Sequence, residues 1–101
     1  MELTKLLADS NSDESRAAAE ALGKLGAAAA PELINLLADS RASARGNAAA
    51  VLGKLGEHVG GAVPGLMRLF TDISPYVRRH AAEAFGHALW ESIKAMDSEI
   101  S

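Results

Sequence analysis

Residues 22 to 26 read LGKLG, and the same five letters return at residues 52 to 56. Laid without a gap, residues 2–26 match residues 32–56 at about 14 of 25 positions, led by ELTKLLADS over ELINLLADS, an agreement that chance rarely produces. The offset is 30 residues. A third copy starts at Gly65, where GLMRLFTDI aligns and VRRHAAEAFG then falls over the Ala-rich segment. Its offset is 33, because EHVGGAV is three residues longer than AAAA ahead of the proline, and Pro31 and Pro64 come into register. Units of this size bury their apolar sides against their neighbours, so the period constrains the architecture before any single residue does.

About a fifth of the chain is Ala and strand-favouring residues are scarce, which points to an all-α fold with closely approaching helices. Each unit reads as a short helix, a turn at Asp-Ser or Asp-Ile, and a longer helix. The expectation is six helices in three antiparallel pairs within one domain, residues 1–101, with repeats at approximately 2–30, 31–63 and 64–97. Ser74 before Pro75 makes a strong helix start, since Ser caps free amides and Pro loses nothing at the first helical position. Asn11 aligns with Ser74 and is also a good cap; Arg41 aligns but is not, so the second long helix is expected to cap at Ser40 or Ser43. Gly26 and Gly56 end long helices as left-handed residues. Gly23, Gly53 and Gly86 stand inside the long helices, where Gly costs roughly 1 kcal/mol against Ala; a cost repeated in three copies predicts helix crossings with no room for a side chain.

With Lys+Arg 10 against Asp+Glu 13 the formal charge is -3, and there is no basic field to hold phosphates, so no nucleic-acid partner is expected. The chain has no Cys, which excludes disulfides and thiolate sites. The opening MELTKLLADS carries an acid and only a brief apolar run; it reads as neither a signal peptide nor a membrane span, and the expected setting is the cytoplasm with no membrane contact.

VRRHAAEAFG and RAAAEALGKLG, preceded by LLADS or LFTDI, resemble HEAT-like repeats of the short type found in phycobilin lyase subunits and many scaffold proteins. The resemblance covers nearly the whole chain and implies a right-handed α-α superhelix (HEAT-like solenoid) of three helix pairs, with the second helices lining a concave face. Such repeats pair a turn Asp with an Arg six residues on, forming a ladder between neighbours. Asp39 with Arg45 and Asp72 with Arg78 keep that spacing; Asp9 does not, since Arg16 sits one place late, and the first repeat is expected to be the least regular and the loosest. The resemblance also implies function: a scaffold that binds another protein through the concave face, or, following the phycobilin lyase likeness, a subunit or chaperone of a cofactor-attaching enzyme.

Along the long helices Ala18, Leu22 and Leu25 recur as Ala48, Leu52 and Leu55, then as Ala81, Phe85 and Ala88, the spacing of a buried stripe. Beside it runs a stripe whose residues change from copy to copy. Its candidates for partner binding are Arg16, Glu20, Asn47, Arg79, His80, Glu83 and His87; solvated positions that simply drift would look the same. His80, Glu83, His87 and Glu91 share one side of a helix and are residue types that bind zinc or iron, though His and Glu at helical spacing also make an ordinary solvated face. The HEAT-like enzyme deoxyhypusine hydroxylase holds iron with adjacent His-Glu pairs in several repeats; here Ala81 follows His80, and Ala17 and Asn47 stand at the aligned places. No metal, cofactor or catalytic residue is therefore expected, and the chain reads as no enzyme.

At the third return of LGKLG the chain reads FGHAL. Leu89 replaces the stopping glycine, so the helix should run on toward Met96 with Phe85, Leu89, Trp90 and Ile93 along it. These residues either fold back on Leu69 and Phe70 as a thickened cap or leave an open end-face contact. A homodimer through the C-terminal helix, or a further repeat, would cover such an end.

Overall fold

The protein is described by a computed structural model covering residue 7, residues 12–55 and residues 61–100. It is helical: α1 (Ser12–Leu25), a 3-10 turn (Gly26–Ala29), α2 (Ala30–Leu36), α3 (Ala42–Leu55), α4 (Val63–Arg68), a second 3-10 turn (Leu69–Thr71) and α5 (Pro75–Ile100), with no strand among the described residues. Five of the six expected helices are these. The opening one, with Asp9 and Asn11, lies outside the described residues apart from Leu7, as does Gly56.

Helix boundaries follow local chemistry. Pro31 and Pro64 stand in the first turns of α2 and α4, where a missing N–H is no loss. Gly26 ends α1 at φ 60°, the left-handed conformation expected of it. Ser74 is the cap position of α5, its carbonyl accepting from the Arg78 N–H at 3.0 Å. In α3 the cap falls on Arg41, whose carbonyl accepts from the Arg45 N–H at 3.1 Å, and not on Ser40 or Ser43. The reason is that Asp39 sets the turn: its Oδ1 accepts the Arg41 N–H at 2.9 Å, as Asp72 Oδ1 accepts the Ser74 N–H at 2.9 Å.

The core runs between the short and long helices, with Leu7, Leu22, Leu33, Val51, Leu52, Leu66 and Val77 as its largest fully buried side chains. The expected stripe is buried at Ala18, Leu22, Ala48, Leu52 and Ala81, and Phe85 is half-buried. Its last place is less regular: Leu25 is 47% exposed, Leu55 is half-buried against the core, and the Ala88 side chain lies outside the described residues. Both leucines stand in the last turns of their helices, α1 and α3.

The most extensive helix contact joins α3 to α5. A Cβ on Gly53 would lie 2.7 Å from the Ala84 Cα, so here the expected side-chain-free crossing exists. It does not exist at Gly23 or Gly86, where no atom of the described residues stands within 4 Å of that position. Of the three, only the middle glycine meets a neighbouring long helix so closely among the described residues.

Between the turns sits an ion-pair ladder. Arg45 donates from Nε to Asp72 Oδ2 at 2.7 Å, from Nη2 to Asp72 Oδ1 at 3.0 Å, and from Nη1 to the Asp39 carbonyl at 2.9 Å. Arg78 repeats the last contact, donating to the Asp72 carbonyl at 2.6 Å. The six-residue spacing thus lets each Arg brace its own turn, while the fork of Arg45 holds the carboxylate of the next turn. The Asp39 carboxylate is held by Arg41, with Nε to Oδ1 at 3.0 Å. The Arg45 hydrogen bond keeps the Asp72 carboxyl below the usual carboxylate range, against a raising effect of burial.

Two outcomes follow. Gly53→Ala should destabilise the chain by about 1–2 kcal/mol, because overpacking against Ala84 outweighs the gain in helix propensity, whereas Gly23→Ala should be neutral or stabilising by up to about 1 kcal/mol; urea unfolding compares them. Arg45→Met should cost about 1–3 kcal/mol at pH 7, because it leaves the half-buried Asp72 carboxylate with the Ser74 N–H but without its guanidinium. Because the folded carboxyl titrates low, the pair's contribution is present above about pH 4 and lost as pH falls through the lowered value, so the gap between variant and parent should narrow on acidification.

Candidate functional site

The long helix α3 lies between α1 and α5, and the surface these three share carries two adjoining grooves. The first, about 320 Å³, is lined by Arg16 and Ala19 of α1, Asn47 and Ala50 of α3, and Tyr76 and His80 of α5. The second, about 280 Å³, lies between α3 and α5 and is lined by Ala50, Gly53, Lys54, His80, Glu83 and His87. Ala50 and His80 belong to both, so the two form one channel across the long helices. Its floor is made of small residues because the helices approach closely at Gly53 and Ala84; its walls carry the residues that vary between repeats. A separate cleft of about 200 Å³ lies between the short helices, against Ile34, Leu37, Gly65 and Arg68.

The channel gathers five of the seven candidates: Arg16, Asn47, His80, Glu83 and His87. Glu20 and Arg79 are exposed but outside its lining, with Arg79 Nε 4.0 Å from Glu83 Oε1. The outward-facing expectation holds for Arg16, Glu20, Arg79, Glu83 and His87, but not for Asn47 and His80, which are half-buried. The Asn47 Nδ2 donates to the Leu7 carbonyl at 2.7 Å, and its Oδ1 accepts from the Tyr76 hydroxyl. One amide therefore ties together all three repeats. Burial pushes the His80 imidazole below its ordinary value, with Glu83 raising it and Arg79 lowering it further.

Tyr76 is the residue that sequence reasoning missed. Its ring meets His80 edge-on, with centroids 4.4 Å apart and planes at 65°, and covers Gly46, where a Cβ would lie 2.7 Å from Tyr76 Cδ2. Two signals were available. Tyr76 precedes His80 by four residues on the same stripe, and Gly46 stands where the other repeats have Arg16 and Arg79. A glycine in place of an arginine marks a surface on which something lies flat.

Among the described residues no three His, Asp or Glu side chains come together as a metal-binding group; the Glu91 side chain lies outside them. At the end of the stack α5 continues as expected, to Ile100. Phe85 folds back, its ring edge-on to Phe70 at 5.5 Å and 88°. Leu89, Trp90 and Ile93 do not, and are 52%, 58% and 48% exposed.

Helix pairs stacked through a turn ladder, with the long helices sharing one channel, define an all-α solenoid. The HEAT repeats family pattern matches residues 1–86, and the chain belongs to the HEAT repeat family. The match is to the repeat family as a whole and does not single out the phycobilin lyase type. No curated protein matches the chain. HEAT repeats are generally protein-interaction scaffolds. Among the described residues no helix is long and apolar enough to cross a membrane.

Asn47→Ala should destabilise the protein by about 1 kcal/mol, because it strands the part-buried Leu7 carbonyl, while the exposed Tyr76 hydroxyl can turn to water. Glu20→Ala should stay within about 0.5 kcal/mol of the parent. Denaturant midpoints measured side by side check the contrast.

Proposed function

We propose that the chain is a cytoplasmic interaction scaffold that holds a segment of another protein in the channel across α1, α3 and α5, by binding and without catalysis. The observation that carries this reading is that the two grooves adjoin along the long helices, with Ala50 and His80 lining both. A floor of Ala and Gly admits close approach of a polypeptide, and the walls offer donors and acceptors of both signs: Arg16 at one end, Lys54, Glu83 and His87 at the other. Extended concave surfaces are how solenoids engage partners. The net charge of -3 disfavours a phosphate backbone as the occupant.

Charge reversal at the walls tests this. With the chain immobilised and partners captured from native cytosol, Arg16→Glu and Glu83→Lys should each weaken capture by about 1 kcal/mol, roughly fivefold, while the thermal midpoint stays in place. Arg68→Glu, in the cleft between the short helices, should leave capture unchanged. If Arg68→Glu alone releases the partner, the channel is not the binding surface.

A further inference from the structure

The two grooves of the channel differ in charge. The second holds Lys54 and Glu83 and takes no single sign, whereas the described lining of the first carries Arg16 and His80 and no carboxylate. In a chain with Asp+Glu 13 against Lys+Arg 10, a groove without an acid is a local exception. Arg16 is exposed and makes no ion pair among the described residues, although Glu20 follows it at the same four-residue spacing that brings Arg79 to Glu83. His80 is half-buried, its ring lies against Tyr76, and its imidazole makes no hydrogen bond among the described residues. Asn47, by contrast, is engaged on both sides, by the Leu7 carbonyl and the Tyr76 hydroxyl. The groove therefore offers one guanidinium and one imidazole, with nothing of opposite sign among its described residues to answer them.

We propose that this first groove receives the side-chain carboxylate of an Asp or Glu in the bound polypeptide, taken up by Arg16 and His80, so that the scaffold prefers acidic segments. This rests on the channel reading above and narrows it. A guanidinium matches a carboxylate with two parallel donors. One permanent cation in a chain of net charge -3 suits a singly charged group better than a phosphate. The imidazole adds a dependence on pH. Burial holds His80 below its ordinary value, Glu83 raises it and Arg79 lowers it; Arg16 of α1, Asn47 and Lys54 of α3, and Tyr76 and His87 of α5 line the grooves that it shares. Near pH 7 the free imidazole is neutral, and a carboxylate arriving beside it favours the charged form. Binding then takes up a proton. Affinity should rise as pH falls from neutrality and level off below the lowered value of the free protein.

The purified full chain tests the proposal against random peptides displayed between two fixed ends, so that no free carboxyl terminus is offered. Selected peptides should share an Asp or Glu, and replacing it with Asn or Gln should raise the dissociation constant by about tenfold. Arg16→Gln, at an exposed position, should bring the acidic peptides close to their amide counterparts. For the parent and an acidic peptide, affinity should rise about three- to tenfold between about pH 7.5 and 5.5, the range that a pKa raised by up to about one unit gives. His80→Gln should abolish that rise and keep the Arg16 dependence at the higher pH. Binders with no preference for acids, all weakened by Glu83→Lys, leave the channel reading standing and overturn this one. An acidic preference that Arg16→Gln does not reduce, or a phosphoserine in the acid's place that binds more than about tenfold tighter, overturns it as well. A library that yields no binder, or only binders that Arg16→Gln and Glu83→Lys leave untouched, overturns both readings.

Discussion

The stacking of the second and third repeats depends on one guanidinium. Arg45 is held on three sides, by both oxygens of Asp72 and by the carbonyl of Asp39, in a site where the paired side chains are only 13% and 9% exposed. A fork with fixed geometry leaves little freedom in the spacing of the two turns it joins. That spacing in turn brings α3 and α5 together until Gly53 lies against Ala84. The shallow, small-residue floor of the channel is the outer side of the same close approach.

Much of this architecture was written in the period of the chain. The offsets of 30 and 33 residues and the prolines in register were enough to give helix pairs and their turns; the ladder between them was an expectation that the likeness to HEAT-like repeats supplied. Where expectation and structure part, context beyond the repeat unit is responsible. The three interior glycines occupy equivalent places, but only Gly53 has a close neighbour on the side it faces. The Asp residues, rather than the serines, organise the turns into α3 and α5, because a carboxylate can both accept the turn amide and hold an arginine. Leu25 and Leu55 keep the period of the core yet sit at helix ends. Periodicity reports direction around a helix and says nothing of what packs beside its ends.

The candidate site was legible in outline for the same reason. Positions on one side of a helix follow from spacing, and five of the seven candidates line one channel. What spacing does not show is which side chains turn inward. Asn47 was grouped with the exposed residues by its position, but an amide can serve a carbonyl on one side and a hydroxyl on the other, and the positions of Leu7 and Tyr76 supply both. Tyr76, four residues before His80, was not placed beside it. Gly46, at a position held by arginine in the other two copies, was the clue that pairs with it.

Gly46 and Tyr76 also make the repeats unequal as building blocks. The ring that covers Gly46 comes from the following unit, and the residue aligned with Tyr76 in the second repeat is Ser43. An array made by copying the second repeat would present an uncovered glycine at every junction. An array made from the third would set each tyrosine against an arginine, at the place of Arg79, with no hollow to receive it. The order of the units is therefore part of the sequence's information: these repeats fit in succession as a lock fits one key, and a modular redesign would have to move the glycine and the tyrosine together across the boundary that separates them.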